Sequence, residues 1–232
     1  MLAELAQRIG DRLFGGSCFL CRGAAAALLC ARCDAELPRL GAERCPRCAL
    51  ASPGGAVCGR CLAAPPAYDA TVAALEYRFP ADVLVHALKF RAELALAPLL
   101  GGLVSERVRR SEPVDCVVPV PLSRRRLAER GFNQSLEIAR RLDGAIRARL
   151  SPELCRRTRD TAAQMGLPLA EREGNVAGAF RCPNPIDGAI VAVLDDVMTT
   201  GTTLDAVAAE LKRAGAARVV NWVVARTPPP GA

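Results

Sequence analysis

Histidine is almost missing from this chain of 232 residues, with His86 the only one. A histidine general base or an imidazole-rich metal site is therefore not expected. His86 itself falls in an apolar helical stretch that suits a structural role. Aromatic residues are scarce too, at 4%, which argues against a platform of stacked rings that reads nucleic-acid bases. Lysine occurs only at Lys89 and Lys212, so arginine supplies nearly all the positive charge. No apolar run approaches the roughly 20 residues of a membrane-spanning helix. The opening MLAELAQRIGDRLF carries Glu4 and Asp11 where a secretory leader would place its basic and apolar regions. Residues 1–14 read instead as a short amphipathic helix, and the expected location is the cytoplasm.

Cysteine is abundant, with 11 residues, eight of them before residue 62. They form four CxxC pairs: Cys18/Cys21, Cys30/Cys33, Cys45/Cys48 and Cys58/Cys61, separated by eight, 11 and nine residues. In a reducing compartment this pattern favours metal over disulfides. A CxxC turn converges two thiolates on one ion, and two turns complete a tetrahedral zinc shell. Eight ligands therefore predict two closed structural zinc sites, paired sequentially or in a crossed order, with sequential pairing the expectation. Residues 15–65 have too few large apolar side chains for a core of their own, so metal supplies folding energy there. Cys116, Cys155 and Cys182 stand outside the pattern. Cys116 lies in an apolar strand and reads as a small core residue.

The formal net charge is +7, and it is concentrated. Between Arg124 and Arg159 there are 11 arginines against four acids, Glu129, Glu137, Asp143 and Glu153. Such a patch suits an anionic partner: a phosphorylated small molecule, nucleic acid, or both in turn.

Ala63-Ala64-Pro65-Pro66 marks a boundary, because consecutive prolines neither continue a helix nor pair in a central strand. Beyond it strands alternate with helices. Strands are predicted at Thr71–Tyr77, Val114–Val120, Ala189–Leu194 and Arg218–Ala225. Helices are predicted at Pro80–Phe90, Glu93–Arg110, Asn133–Arg149 and Thr203–Ala214, with a basic loop after Val120. Fully apolar strands among helices imply a parallel sheet covered on both faces, an α/β domain over residues 66–226. The proline-rich tail 227–232 reads as disordered.

The strongest site signal is VAVLDDVMTTGTTL, Val191–Leu204. A buried strand leads to Asp195 and Asp196, then Thr199, Thr200, Gly201, Thr202 and Thr203, then a helix. A helix N-terminus with threonine hydroxyls suits a phosphate, Gly201 lets the backbone approach it, and the carboxylates suit ribose hydroxyls or Mg²⁺. The loop is neither a Walker loop nor a GxGxxG turn. It resembles the signature of type I phosphoribosyltransferases for 5-phosphoribosyl-1-pyrophosphate (PRPP).

A second stretch, Val118-Pro119-Val120-Pro121-Leu122-Ser123 followed by Arg124-Arg125-Arg126 and Arg130-Gly131-Phe132-Asn133-Gln134, offers cations and amides to a pyrophosphate. Together with four CxxC pairs and Lys89-Phe90, the chain from about residue 15 to 226 resembles the ComF family, which includes competence proteins of natural transformation. The resemblance implies a type I phosphoribosyltransferase fold behind a double zinc ribbon. It implies that Asp195 and Asp196 hold ribose and metal, that Thr199 to Thr203 hold the 5-phosphate, and that Arg124, Arg126 and Arg130 serve the pyrophosphate. Arg156–Phe180, with Arg157, Thr158, Gln164 and Asn175, would be the hood over the site. Met198 departs from purine transferases, which often carry a polar or charged residue there. The implied roles are a PRPP-binding protein handling single-stranded DNA with DNA-uptake partners, an active transferase, or a PRPP-sensing regulator.

Overall fold

The structure, a computed structural model, describes residues 16–159 and 178–229. The expected N-terminal helix, the hood interior with Gln164 and Asn175, and the end of the tail lie outside the described residues.

Four strands form the central sheet: β1 (Ala70–Glu76), β2 (Cys116–Pro119), β5 (Ile190–Met198) and β6 (Arg218–Arg226). Their order is β1-β6-β5-β2 and every pairing is parallel. A separate antiparallel ribbon is made by β3 (Arg156–Arg157) and β4 (Phe180–Arg181), at the two ends of the expected hood. The zinc-ribbon region contributes the short helices α1 (Ala31–Ala35) and α2 (Gly59–Ala63). The remaining helices are α3 (Ala81–Arg91), α4 (Ala97–Val108), α5 (Arg124–Arg130), α6 (Gln134–Ala139), α7 (Gly144–Arg147) and α8 (Thr202–Arg213). This is a parallel sheet flanked by helices behind a double zinc ribbon, the architecture of the type I phosphoribosyltransferase fold.

The strands are apolar on both sides because both sides are covered. One core joins Ala192, Leu194, Val220, Trp222 and Val224 to Leu84, Leu88, Leu100, Val104 and Ile138 of α3, α4 and α6. The other joins Val191, Val193, Val219 and Val223 to Leu204, Val207 and Leu211 of α8. The ribbon enters both: Cys33 and Leu37 in the first, Cys45, Cys48 and Ala49 in the second. It also seals a sheet edge. Leu40 N–H donates to the Ala74 carbonyl and Glu76 N–H to the Pro38 carbonyl, so residues 38–40 run antiparallel along β1. At the opposite edge, residues 149–151 bond to Val117 of β2. Unpaired strand edges invite pairing with other chains, and here both are occupied.

Three expectations from the sequence need correction. The helix expected over Asn133–Arg149 is broken into α6 and α7. Arg141 and Leu142 N–H groups bond three residues back, and Asp143-Gly144 then restarts the chain, with the Asp143 N–H donating to Ser105 Oγ. Strand β5 does not stop at Leu194 but runs to Met198, because β6 extends to Arg226 and pairs with it along the whole length. The basic loop after Val120 contains a helix, α5, with Ser123 Oγ accepting from the Arg126 N–H and Gly131 closing it in the left-handed region.

Candidate functional site

The two ribbon sites are formed as the sequence implies. Cys18, Cys21, Cys30 and Cys33 converge, as do Cys45, Cys48, Cys58 and Cys61, each set with its sulfurs within 4.8 Å of one another. The pairing is sequential. Tetrahedral zinc with Zn–S near 2.3 Å needs sulfurs about 3.8 Å apart. Cys21 and Cys30 stand at 3.7 Å, Cys48 and Cys58 at 3.6 Å. Backbone N–H groups also aim at sulfur: Cys58 N–H donates to Cys45 Sγ at 3.3 Å. Bonds of this kind from Cys21 and Cys30 bring the Cys18 thiol down to about 6, toward the thiolate that zinc requires. These are two structural zinc sites of four cysteines each, with no open position for chemistry.

The acids lie at the carboxyl end of β5, where ligands bind in open α/β sheets. Both are buried, Asp195 at 9% and Asp196 at 2% exposure. Asp195 accepts from Ser135 Oγ at 2.9 Å and from the Asp196 N–H at 2.9 Å. Burial and the neighbouring carboxylate push its carboxyl up to about 7. Asp196 is different. Burial opposes its charge, but Lys89 Nζ at 2.6 Å outweighs burial and holds the carboxyl below its usual range. Lys89 in turn stays charged against its own burial because of the two acids. Adjacent carboxyls with opposed shifts are typical of working sites.

The threonine loop follows. Gly201 takes φ 92°, left-handed, at the N-cap of α8. A Cβ there would meet Met198 Cε at 2.8 Å and Tyr68 Oη at 3.1 Å, so both backbone conformation and space demand glycine. Met198 itself is buried in the core beneath the loop. The N-cap residue Gly201 has no side chain to cap α8, and the Thr202 N–H donates to the Thr200 hydroxyl at 3.4 Å, which leaves the amides that follow to other partners. Thr200 and Thr202 hydroxyls hydrogen-bond each other at 2.8 Å. Thr199 is exposed, and Thr200, Thr202 and Thr203 are half-buried.

Beneath the loop sits a residue that the sequence reading passed over. Arg226, 2% exposed, ends β6 and donates to four carbonyls: Nε to Cys48 at 2.7 Å, and Nη1 to Met198 at 2.9 Å, Thr227 at 2.9 Å and Thr199. In a trans peptide the carbonyl and the following N–H point opposite ways. With the Met198 and Thr199 carbonyls turned onto Arg226, the amides of Thr199 and Thr200 face away from it. The same guanidinium grips the zinc knuckle at Cys48. A charged residue at the carboxyl end of a strand that is apolar from Val219 to Ala225 apart from Asn221 was the available signal.

Of the three candidate arginines, Arg130 is brought to the acids, feeling both Asp196 and Asp195. Its guanidinium bonds Gln134 and lies 5.6 Å above the Phe90 ring. Arg126 is close enough to act on Arg130 electrostatically. Arg124 is exposed at the first turn of α5. The wider arginine cluster is divided among α5, the connection from α6 to α7, α7 and β3. Arg125, Arg140 and Arg156 pair with Glu129, Glu137 and Glu153, so its charge is less concentrated than the sequence suggests. Among the described aromatics only Phe79 and Phe90 face outward, at 69% and 55% exposure, while Tyr68, Phe180 and Trp222 are buried. His86 is exposed as well, 4.7 Å from the Phe90 ring, not buried. No helix among the described residues is long and apolar enough to cross a membrane.

Residues 9–62 match the double zinc ribbon domain. The DNA utilization protein YhgH of Escherichia coli K12 is 37% identical over 222 residues, covering 91% of this chain and 97% of that protein. Competence protein F of Haemophilus influenzae is 28% identical over 178 residues, 73% of this chain and 78% of its own. Competence protein ComFC of Streptococcus pneumoniae is 27% identical over 201 residues, 85% of this chain and 87% of its own. With likeness to such relatives running along nearly its whole length, through the ribbon, the parallel sheet and the acid–threonine loop, the chain belongs to the ComF family.

Proposed function

We propose that this protein binds PRPP at the end of β5 and acts in the handling of single-stranded DNA during its uptake or utilization. The observation that carries the phosphate half is the N-terminus of α8, where only the Thr202 N–H is taken by a side chain, with the Thr199 and Thr200 amides facing away from Arg226. A dianionic 5-phosphate suits such amides and the positive end of a 12-residue helix. Asp195 and Asp196 would accept from the ribose hydroxyls. Arg130 and Arg126 stand where a pyrophosphate would need cations. Mg²⁺ would arrive on the pyrophosphate oxygens, and the hard carboxylate oxygens of the two acids suit it. The DNA half rests on the names of the relatives and on the arginines of α5 and α7.

A second reading, an active phosphoribosyltransferase, is favoured by Asp195, a buried carboxyl pushed up to about 7 where the ribose would lie. A PRPP sensor is the outcome if neither DNA nor an acceptor is engaged.

Calorimetric titration with Mg²⁺ and PRPP tests the first claim. Thr200→Ala and Asp196→Ala should each weaken binding by at least about 10-fold, the worth of one charge-assisted hydrogen bond. Wild-type affinity in both folded variants would place the site elsewhere. Affinity for single strands should fall with salt, and Arg125→Ala or Arg147→Ala should each flatten that slope by less than about one unit. Weak DNA binding even at low salt, with pyrophosphate released in the presence of bases or amines, would favour the transferase.

A further inference from the structure

Eight of the 11 cysteines belong to the ribbon sites, and Cys116 stands in β2. The other two, Cys155 and Cys182, flank the β3–β4 ribbon. Arg156 pairs with Arg181 and Arg157 with Phe180. The Thr158 N–H donates to the Ala179 carbonyl at 2.9 Å. Hydrogen-bonded and non-hydrogen-bonded pairs alternate along an antiparallel ladder. Counting from the bonded pair Thr158–Ala179, the pair Arg156–Arg181 is bonded again and Cys155–Cys182 falls at the next non-bonded position. Opposed Cα atoms there are about 4.5 Å apart, within the span of a disulfide.

The surroundings agree. The Cys182 N–H leaves the ladder and donates to the Glu210 carboxylate at 3.0 Å. The two thiols interact directly: a hydrogen bond from Cys155, assisted by the Arg213 charge, favours the Cys182 thiolate, while that bond and burial keep Cys155 protonated. Cys182 is half-buried and reachable, and Cys155 is 1% exposed.

We propose that Cys155 and Cys182 are a redox-modification site, forming a reversible disulfide across this ribbon with a low-molecular-weight disulfide as oxidant. The Cys182 thiolate attacks one sulfur of the oxidant and expels its other half as a thiolate. Cys155, losing its proton, attacks the Cys182 sulfur of the mixed disulfide and expels the second thiolate. Two protein thiols are oxidised, the oxidant is reduced to two thiols, and the two protons pass to the leaving thiolates. The bond fastens both ends of the intervening chain beside Glu210 of α8, the helix that starts at the threonine loop.

The test uses the full-length, zinc-loaded chain equilibrated in oxidised and reduced glutathione at graded ratios, then alkylated and digested with trypsin. Mass spectrometry should find peptide Leu150–Arg156 joined to the peptide beginning at Cys182, in a form that dithiothreitol reverses and with bound zinc unchanged. Cys155→Ser should trap glutathione on Cys182, since the resolving thiol is gone. Oxidation should raise the melting temperature of the wild-type chain but not that of Cys182→Ser. Absence of the joined peptides at the most oxidising ratio, or Cys155 joined to a ribbon cysteine instead, would overturn the proposal.

Discussion

Asp195 and Asp196 are neighbours in sequence whose carboxyls respond oppositely to pH. Asp195 has a folded-state pKa near 7 against an ordinary 3.8, so the folded chain holds that proton more tightly than the unfolded one. Stability from this group is therefore greatest in acid and is lost as pH rises from about 4 to about 7. Asp196, with Lys89 at 2.6 Å, is depressed, and its contribution is present above the usual carboxyl range and lost only in acid. Asp195→Asn keeps an acceptor for Ser135 and removes the charge. It should stabilise the protein at pH 8 by about 1–3 kcal/mol and change little at pH 4, read from urea midpoints. Much of this was visible in the sequence: two acids before a threonine loop. The role of Lys89 was not, because its position before Phe90 in α3 says nothing about which carboxylate it meets. Arg226 was hidden for the same reason, since it bonds Cys48 across 178 residues of chain.

The elements were legible where the apolar period is strong, as in α8 and in all four strands of the sheet. They were misread where a partner decides the length. Asp195 and Asp196 look like the end of a strand, and only β6 running on to Arg226 keeps β5 extended beneath them. The break between α6 and α7 was signalled weakly by Asp143-Gly144 and fixed by packing against α4. That packing gives two adjacent glycines of α4 opposite expectations. A Cβ on Gly101 would lie 2.8 Å from the Arg141 carbonyl oxygen, whereas one on Gly102 meets nothing within 4 Å. Gly102→Ala should therefore stabilise by up to about 1 kcal/mol, the ordinary helix preference. Gly101→Ala should destabilise by about 1–3 kcal/mol, because the contact is backbone and cannot rotate away. Thermal melts of the two variants, shifted in opposite directions, would check it.

For the whole molecule, the ribbon is more than an appendage, since its residues complete the cores on both faces of the sheet and close one edge. The chain should carry about two zinc ions, four thiolates to each. Cys58→Ser should lose one of them and lower the melting temperature of the entire protein, measured by metal analysis beside a thermal scan. Arg226 adds a further consequence. A single guanidinium holds the carbonyl of zinc-bound Cys48 and the carbonyls of Met198 and Thr199, so zinc at the second ribbon and an anion on the loop share one support. Thermodynamic linkage then runs both ways: whatever free energy zinc contributes to anion affinity, the anion returns to zinc affinity. Saturating PRPP should slow the release of one zinc to a chromogenic chelator and leave the other unchanged. Arg226→Lys, which reaches fewer carbonyls, should erase that difference. If the proposed PRPP site is right, the metal at the second ribbon would then report whether the loop is filled.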